Sequence, residues 1–485
     1  MKKSVFLKVV CALLAVLMTS IAFAACNGAK SGTNTQTNAT AGGDDAPVPH
    51  YDWGGRPLDI LGTHNAHEPN FELVGNSDGN IVEQAVFSRN SQIEDYYNVE
   101  INDIGTESDK PLTLIQNTIF TGDHLYDLAF LVRNDMSTAI QNGYFTDLTA
   151  LPYLDFTKKY YNSLSIESMK VGGRLFHMVS DFSLVDKART NVLFYNRDLG
   201  AEYHFDDIIQ LVRDGDWTFE EMYKNMKNAD LDGNDMRDLS DLWGLVCGGK
   251  EGAAAFWSAL GNKMVTVNKD GEWSVDVANE HSVNSISKLQ KIFTDDNMFF
   301  QPGRWKVGDE TDWSTAYTTF IGKKAFYQAS SLSTIVNLGE DADFSYTVLP
   351  FPKYDADQTE YYTTNDNTYC STFGVPTCAM DPDFSAFMIE VLSWKSHTTT
   401  YPAYMETMCK VRSSYDATCA EMMELVLGGL TYDFGLVYTG LGLKTNVLLV
   451  SIYEKRDITV LYDGVKESVE SAKLPGMIDT IMNLE

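Results

Sequence analysis

Positive charge is scarce in this chain. Only 37 Lys and Arg stand against 67 Asp and Glu over 485 residues, a formal net charge of −30. A surface this acidic repels phosphate, which argues against a nucleic-acid reader and against dependence on anionic lipid headgroups. Cysteine and histidine are sparse too, seven and eight in all, and too scattered for a zinc framework or a disulfide-built miniprotein. Beyond the N-terminus no apolar run reaches the roughly 18 residues of a membrane span. Catalytic signatures are likewise missing. Gly244-Leu-Val-Cys-Gly-Gly249-Lys250 approaches a phosphate-binding loop, but Glu251 stands where a magnesium-binding hydroxyl is needed and would repel the phosphates. His64-Asn-Ala-His67-Glu68 has no second His at zincin spacing, and Pro69 breaks any helix that would align ligands. There is no Gly-x-Ser-x-Gly elbow. Among so many carboxylates, no pair can be singled out as acid and base.

What is present is a large apolar fraction, 44% hydrophobic and 12% aromatic, in a chain long enough for two or three core-sized units. Lys2, Lys3 and Lys8 followed by Val9–Met18 and small residues read as a secretory signal over residues 1–25. Phe23-Ala24-Ala25-Cys26 resembles a bacterial lipobox, with Phe where Leu is usual. That resemblance implies that Cys26 becomes the lipidated first residue and anchors the chain outside the cytoplasmic membrane; an ordinary signal peptide is the alternative. Residues 26–50, rich in Gly, Ser, Thr and Asn, cannot repay the entropy of ordering and read as a flexible tether. An oxidising compartment permits bridges among Cys247, Cys370, Cys378, Cys409 and Cys419, but spacing assigns no pairing, and buried thiols serve as well.

From Tyr51 onward the pattern is globular. Pro57–Gly62 reads as a short strand, and Ile81, Val82, Ala85, Val86, Ile93 and Tyr97 keep helical spacing, with Ser77 and Asp78 as start signals. Asp127–Val132 reads as the next strand. Strand, helix, strand in this order predicts an α/β fold with a mainly parallel sheet. Thr218-Phe219-Glu220-Glu221 has the form of a capping box, and Asp381-Pro382-Asp383 opens a helix striped by Phe384, Phe387, Met388, Val391 and Leu392. Asp230, Asp232, Asn234, Met236, Asp238 and Asp241 follow calcium-loop spacing. Asp235 stands where such loops have Gly, and Asp241 is shorter than the usual Glu, so a metal-free acidic turn is preferred over structural calcium. No other cofactor is indicated.

Several motifs then fall in a recognisable order. Leu193–Leu199, Asp216–Glu221, Trp243-Gly244-Leu245, Phe320–Phe326 and Phe344–Lys353 together resemble the family 1 extracellular solute-binding proteins of ABC importers, the maltose-type group. Val82–Ala85 with Arg89-Asn90 and Ile93-Glu94 is similar to a subgroup of Firmicute lipoproteins, which commonly carries paired Trp where this chain has Tyr160-Tyr161. The resemblance implies a two-lobe periplasmic-binding-protein fold of type II, with lobe 1 at 51–178 plus 363–397 and lobe 2 at 179–362 plus 398–485. Its ligand would be a sugar or oligosaccharide held in the interlobe cleft and passed to permease subunits without any bond being broken. Loops after strands face such a cleft, which makes His64, Asn65, Arg133, Asn134, Asp135, Asp181, Ser330 and Ser331 candidates. Trp257 aligns with the family's pocket aromatic, Tyr361 and Tyr362 lie near the return crossing, and Asp181 is the acid placed to accept sugar hydroxyls. Rival readings are the same fold binding a peptide, polyol or other small organic solute, a secreted glycosidase, or a surface adhesin.

Overall fold

The computed structural model describes residues 46–64, 70–105, 110–229, 237–301, 314–365, 370–411 and 414–484. The signal segment, Cys26 and most of the tether lie outside the described residues, as do Asn65, Asp230, Asp232, Asn234 and Met236.

The first sheet contains the predicted strands near 57–62 and 127–132 and the helix that follows the first, and adds a strand at Val99–Asp103 that the pattern did not give. Strand β1 (Arg56–Leu61) leads into the helix Ile81–Tyr97, then β2 (Val99–Asp103), then β3 (Leu128–Val132), and both β2 and β3 pair with β1 in parallel. The helix start differs from the reading at Ser77 and Asp78. Asn80 is the cap: its side chain accepts from the backbone of Val82 and Glu83, and Glu83 reaches back to the Asn80 N–H. That reciprocal pair satisfies donors that the first turn would leave open.

The second sheet is built from β4 (Asn191–Asn196), β5 (Trp243–Cys247), β8 (Phe299–Phe300), β9 (Ala325–Ser331) and β10 (Tyr346–Leu349), in the spatial order β10-β4-β9-β5-β8. A small hairpin, β6 (Val265–Val267) with β7 (Trp273–Val275), stands apart from it. Every residue of β4 and β5 is buried, as expected of central strands covered on both faces. The chain then returns to the first sheet, where β11 (Ser371–Gly374) pairs antiparallel with β3 and gives the order β11-β3-β1-β2. Thr218 occupies the cap position of the helix Phe219–Met226, but its hydroxyl makes no capping bond. Asp381 does cap Pro382–Thr398, accepting from the Phe384 N–H.

Two features tie the sheets together. Three crossing segments lie side by side: Asn191 N–H donates to Thr364 O (3.1 Å), Thr363 N–H to Gly429 O (3.0 Å), and Thr431 N–H to Thr363 O (3.0 Å). Gly429 is required there, because a Cβ would come within 1.8 Å of the Tyr361 carbonyl. At the C-terminus, the helix Leu474–Met482 packs on Arg133–Gln141 beside the first sheet. There Arg174 Nη1 donates to the carbonyls of Ile481, Met482 and Leu484 at 3.2, 3.3 and 2.8 Å. A guanidinium in this place satisfies the open acceptors of a helix end and suits its negative pole.

The adjacent Tyr160 and Tyr161 both donate their hydroxyls to the buried Glu390 carboxylate, which explains a Tyr pair at this position. All five described cysteines are free and buried. Among the described residues no helix is long and apolar enough to cross a membrane.

Candidate ligand site at the crossing segments

Strand β3 ends at Val132, and the helix Arg133–Gln141 starts at once, its first N–H donating to Cys370 O at 3.0 Å. This turn delivers Arg133 into the junction between the sheets, where it has no solvent exposure. Its Nη2 donates to the Asn365 carbonyl, and the guanidinium lies 4.9 Å from the Tyr432 ring centre. Nε and Nη1 are buried and find no hydrogen-bond partner among the described residues. Around them, Asn134 Oδ1, Thr364 Oγ1 and Asn365 Oδ1 are also buried and unpaired. Asn365 Nδ2 is engaged, donating to Tyr432 Oη at 3.2 Å and Asp186 O at 3.3 Å.

Charge in this junction is tightly held. His177 is fully buried, and burial followed by the nearby Arg133 charge pushes its pKa down to about 3, so it is a neutral ring bonded to Thr372 Oγ1 at 2.9 Å. Burial raises the Asp186 carboxyl, opposed by the Lys187 ammonium at 3.2 Å and by the Ser183 hydroxyl at 2.9 Å. Asp181 pairs with His397 Nδ1 at 2.6 Å, and Lys187 Nζ lies 4.0 Å away. The Asp181 hydrogen bond raises the His397 pKa against the effect of burial.

The other candidates are placed as follows. Ser330 and Ser331 end β9 opposite Val192 and Asn191, so they adjoin the crossing, and their hydroxyls bond Thr334 and Ser333. Asp135 is partly buried, and desolvation raises its pKa. His64 is held by Asp103 at 2.7 Å, at the end of β1. Tyr361 is buried with its hydroxyl on Val212 O, and Tyr362 is half-buried beside it. Trp257 is fully buried in the helix Glu251–Ala259, so in this conformation it presents no face to a cleft. Of the acidic loop, Asp238 Oδ1 accepts from Ser240 N–H at 2.7 Å, and Asp241 Oδ2 accepts from Asp238 N–H at 2.7 Å. Among the described residues no group of three or more His, Cys, Asp or Glu could hold a metal ion.

Sequence reasoning missed Thr364, Asn365, Tyr432 and His177. The polar run Thr363-Thr364-Asn365 at the return crossing was the signal for two of them; Tyr432 and His177 gave none, since they join the group only through pairing across hundreds of residues.

Two α/β lobes linked by adjacent crossing segments define the periplasmic-binding-protein fold of type II. No protein-family model and no curated protein sequence matches the chain. Solved structures do. The ABC substrate-binding protein Lmo0181 from Listeria monocytogenes, in complex with cycloalternan, aligns at TM-score 0.51 and 14% identity, over 86% of this chain and 99% of that one. A cyclo/maltodextrin-binding protein complexed with maltotetraose aligns at TM-score 0.56 and 14% identity, over 86% and 98%. At this identity the likeness is one of fold.

Proposed function

We propose that this chain is the extracytoplasmic substrate-binding lipoprotein of an ABC importer, which captures a sugar or oligosaccharide between its lobes and delivers it to the permease. The lobes would be 51–178 plus 363–397 and 179–362 plus 398–485, with Cys26 lipidated and residues 26–50 as the leash. The observation that carries the reading is the junction around Arg133. Buried donors without acceptors and buried acceptors without donors disfavour closure on an empty site, by about 1–3 kcal/mol for each group left unpaired. A hydroxyl-rich guest, able to donate and accept at once, supplies both kinds of partner. Ligand then favours the closed arrangement by its differential affinity, with no covalent step. Fold neighbours that hold cycloalternan and maltotetraose support the choice of carbohydrate.

Calorimetry of the full soluble chain against a panel of oligosaccharides, with small-angle scattering on the same samples, tests this. Saturable binding accompanied by compaction is expected. Turnover of a sugar, or binding of peptides with no response to any carbohydrate, would replace the reading. Arg133 Nε and Nη1, without partners among the described residues, also favour a second reading, a ligand carrying a carboxylate, such as a uronic sugar or a peptide C-terminus. The panel therefore includes both.

A further inference from the structure

A second recess lies away from the Arg133 junction. The β6–β7 hairpin and the last helix flank an open recess of about 500 Å³, within the range of small-molecule sites. The C-terminal wall is set by helix periodicity. The π-helical turn Val469–Lys473 runs into Leu474–Met482, so Glu470, Leu474 and Ile478 fall on one face and Asp479 stands beside them. Leu474 is buried, while Glu470 and Asp479 are exposed at the rim. The opposite wall is Trp273, half-buried and met by Phe434 at 5.0 Å and a tilt of 58°. Tyr462 donates its hydroxyl to Glu470 and fixes that carboxylate.

An indole wall, an aliphatic floor and two rim carboxylates match the two surfaces of a pyranose. The ring's C–H face packs on the indole, and its hydroxyls donate to the carboxylates. An anionic guest is disfavoured by the same pair of acids. Position adds a second argument. Phe434, which abuts Trp273, lies two residues from Tyr432, which abuts Arg133. The Trp273 wall of the recess and the junction are therefore backed by one short stretch of chain, Tyr432–Phe434.

We infer that this recess is a second pyranose subsite, which engages the far end of an oligosaccharide whose other end sits at the Arg133 junction. The inference rests on the carbohydrate reading above and specifies a chain-length preference. The test is calorimetry of the full chain, wild type and variants, with ladders of glucose-, mannose- and xylose-based oligosaccharides from two to eight units. With Trp273→Ala, disaccharide affinity should stay within twofold of wild type, while the longest chains bind at least fivefold more weakly. Trp273→Phe should restore most of that loss, and Asp479→Asn should weaken only the long chains. Unchanged affinity at every length in Trp273→Ala overturns the inference, and so does a disaccharide loss that keeps step with the long chains. A wild type that binds none of the ladders refutes the carbohydrate reading, and this subsite with it.

Discussion

Two of the described arginines have no solvent exposure, and their surroundings differ. Arg89, on the helix Ile81–Tyr97, is fully matched. Nε and Nη2 donate to Asn90 Oδ1 at 3.0 and 2.8 Å, Nη1 to Ser396 Oγ at 3.1 Å, and Nη2 also to Glu72 O at 2.6 Å. The guanidinium lies 5.1 Å from the Phe182 ring centre. Among the described residues Arg133 has one bond and two nitrogens with none. A buried cation with every nitrogen bonded organises its surroundings. On the function proposed above, one with donors left over is completed by a ligand.

The comparison fails at once if the two sites respond alike to loss of charge. The largest effect is expected at Arg89. Arg89→Met leaves Asn90, Ser396 and the Glu72 carbonyl without their donor, and should cost about 3 kcal/mol or more in chemical denaturation. Arg133→Met removes two nitrogens without partners among the described residues and one donor to the Asn365 carbonyl, so stability should fall by less than at Arg89, about 1–2 kcal/mol. Ligand affinity should instead fall ten- to a hundredfold by calorimetry, the worth of about 1.5–3 kcal/mol for bonds to a charged group. Equal destabilisation by both variants would erase the distinction.

Glu72, beside Arg89, sharpens it through pH. Burial raises this carboxyl from 4.5 to about 7. A folded-state pKa above the unfolded value means the folded form holds the proton more tightly. Stability is then greatest below about pH 4.5 and declines as pH rises toward 7. Glu72→Gln should flatten that decline, a difference of about 1–3 kcal/mol read from denaturation curves at several pH values. The smallest effect belongs to the Asp181–His397 pair. The raised His397 pKa contributes stability that is complete below the ordinary histidine value of 6.5 and is lost above the raised one. The ring is more than a third exposed, so His397→Gln should move stability by under about 1 kcal/mol.

Much of the scaffold was legible because it is local. The β1 and β3 strands, the helix after β1 and the Asp381-Pro382 helix start follow from periodicity and caps, whereas β2 (Val99–Asp103) was not read and β9 was indicated only by the motif resemblance. The helix at Ile81 was legible too, but its cap was not: three polar residues precede it, and only geometry chooses Asn80 over Asp78. The site was legible as far as the loop after β3, which gave Arg133 and Asn134. Its completion was not, because the Arg133–Tyr432 contact joins segments about 300 residues apart and no spacing rule reaches that far. Trp257 shows the limit of alignment by motif. Its burial depends on the packing of the whole fold, which a motif does not show.

The crossing also bears on mechanics. Threads at residues 190–191, 363–365 and 429–431 are hydrogen-bonded edge to edge, not scattered over the boundary. Bodies joined by one cord tumble freely, and bodies joined at distant corners lock. A narrow ribbon of three cords resists sliding and twisting while folding easily along its own line, and the C-terminal helix docked through Arg174 is a second tie away from that line, which any swing of one sheet against the other must carry along or release.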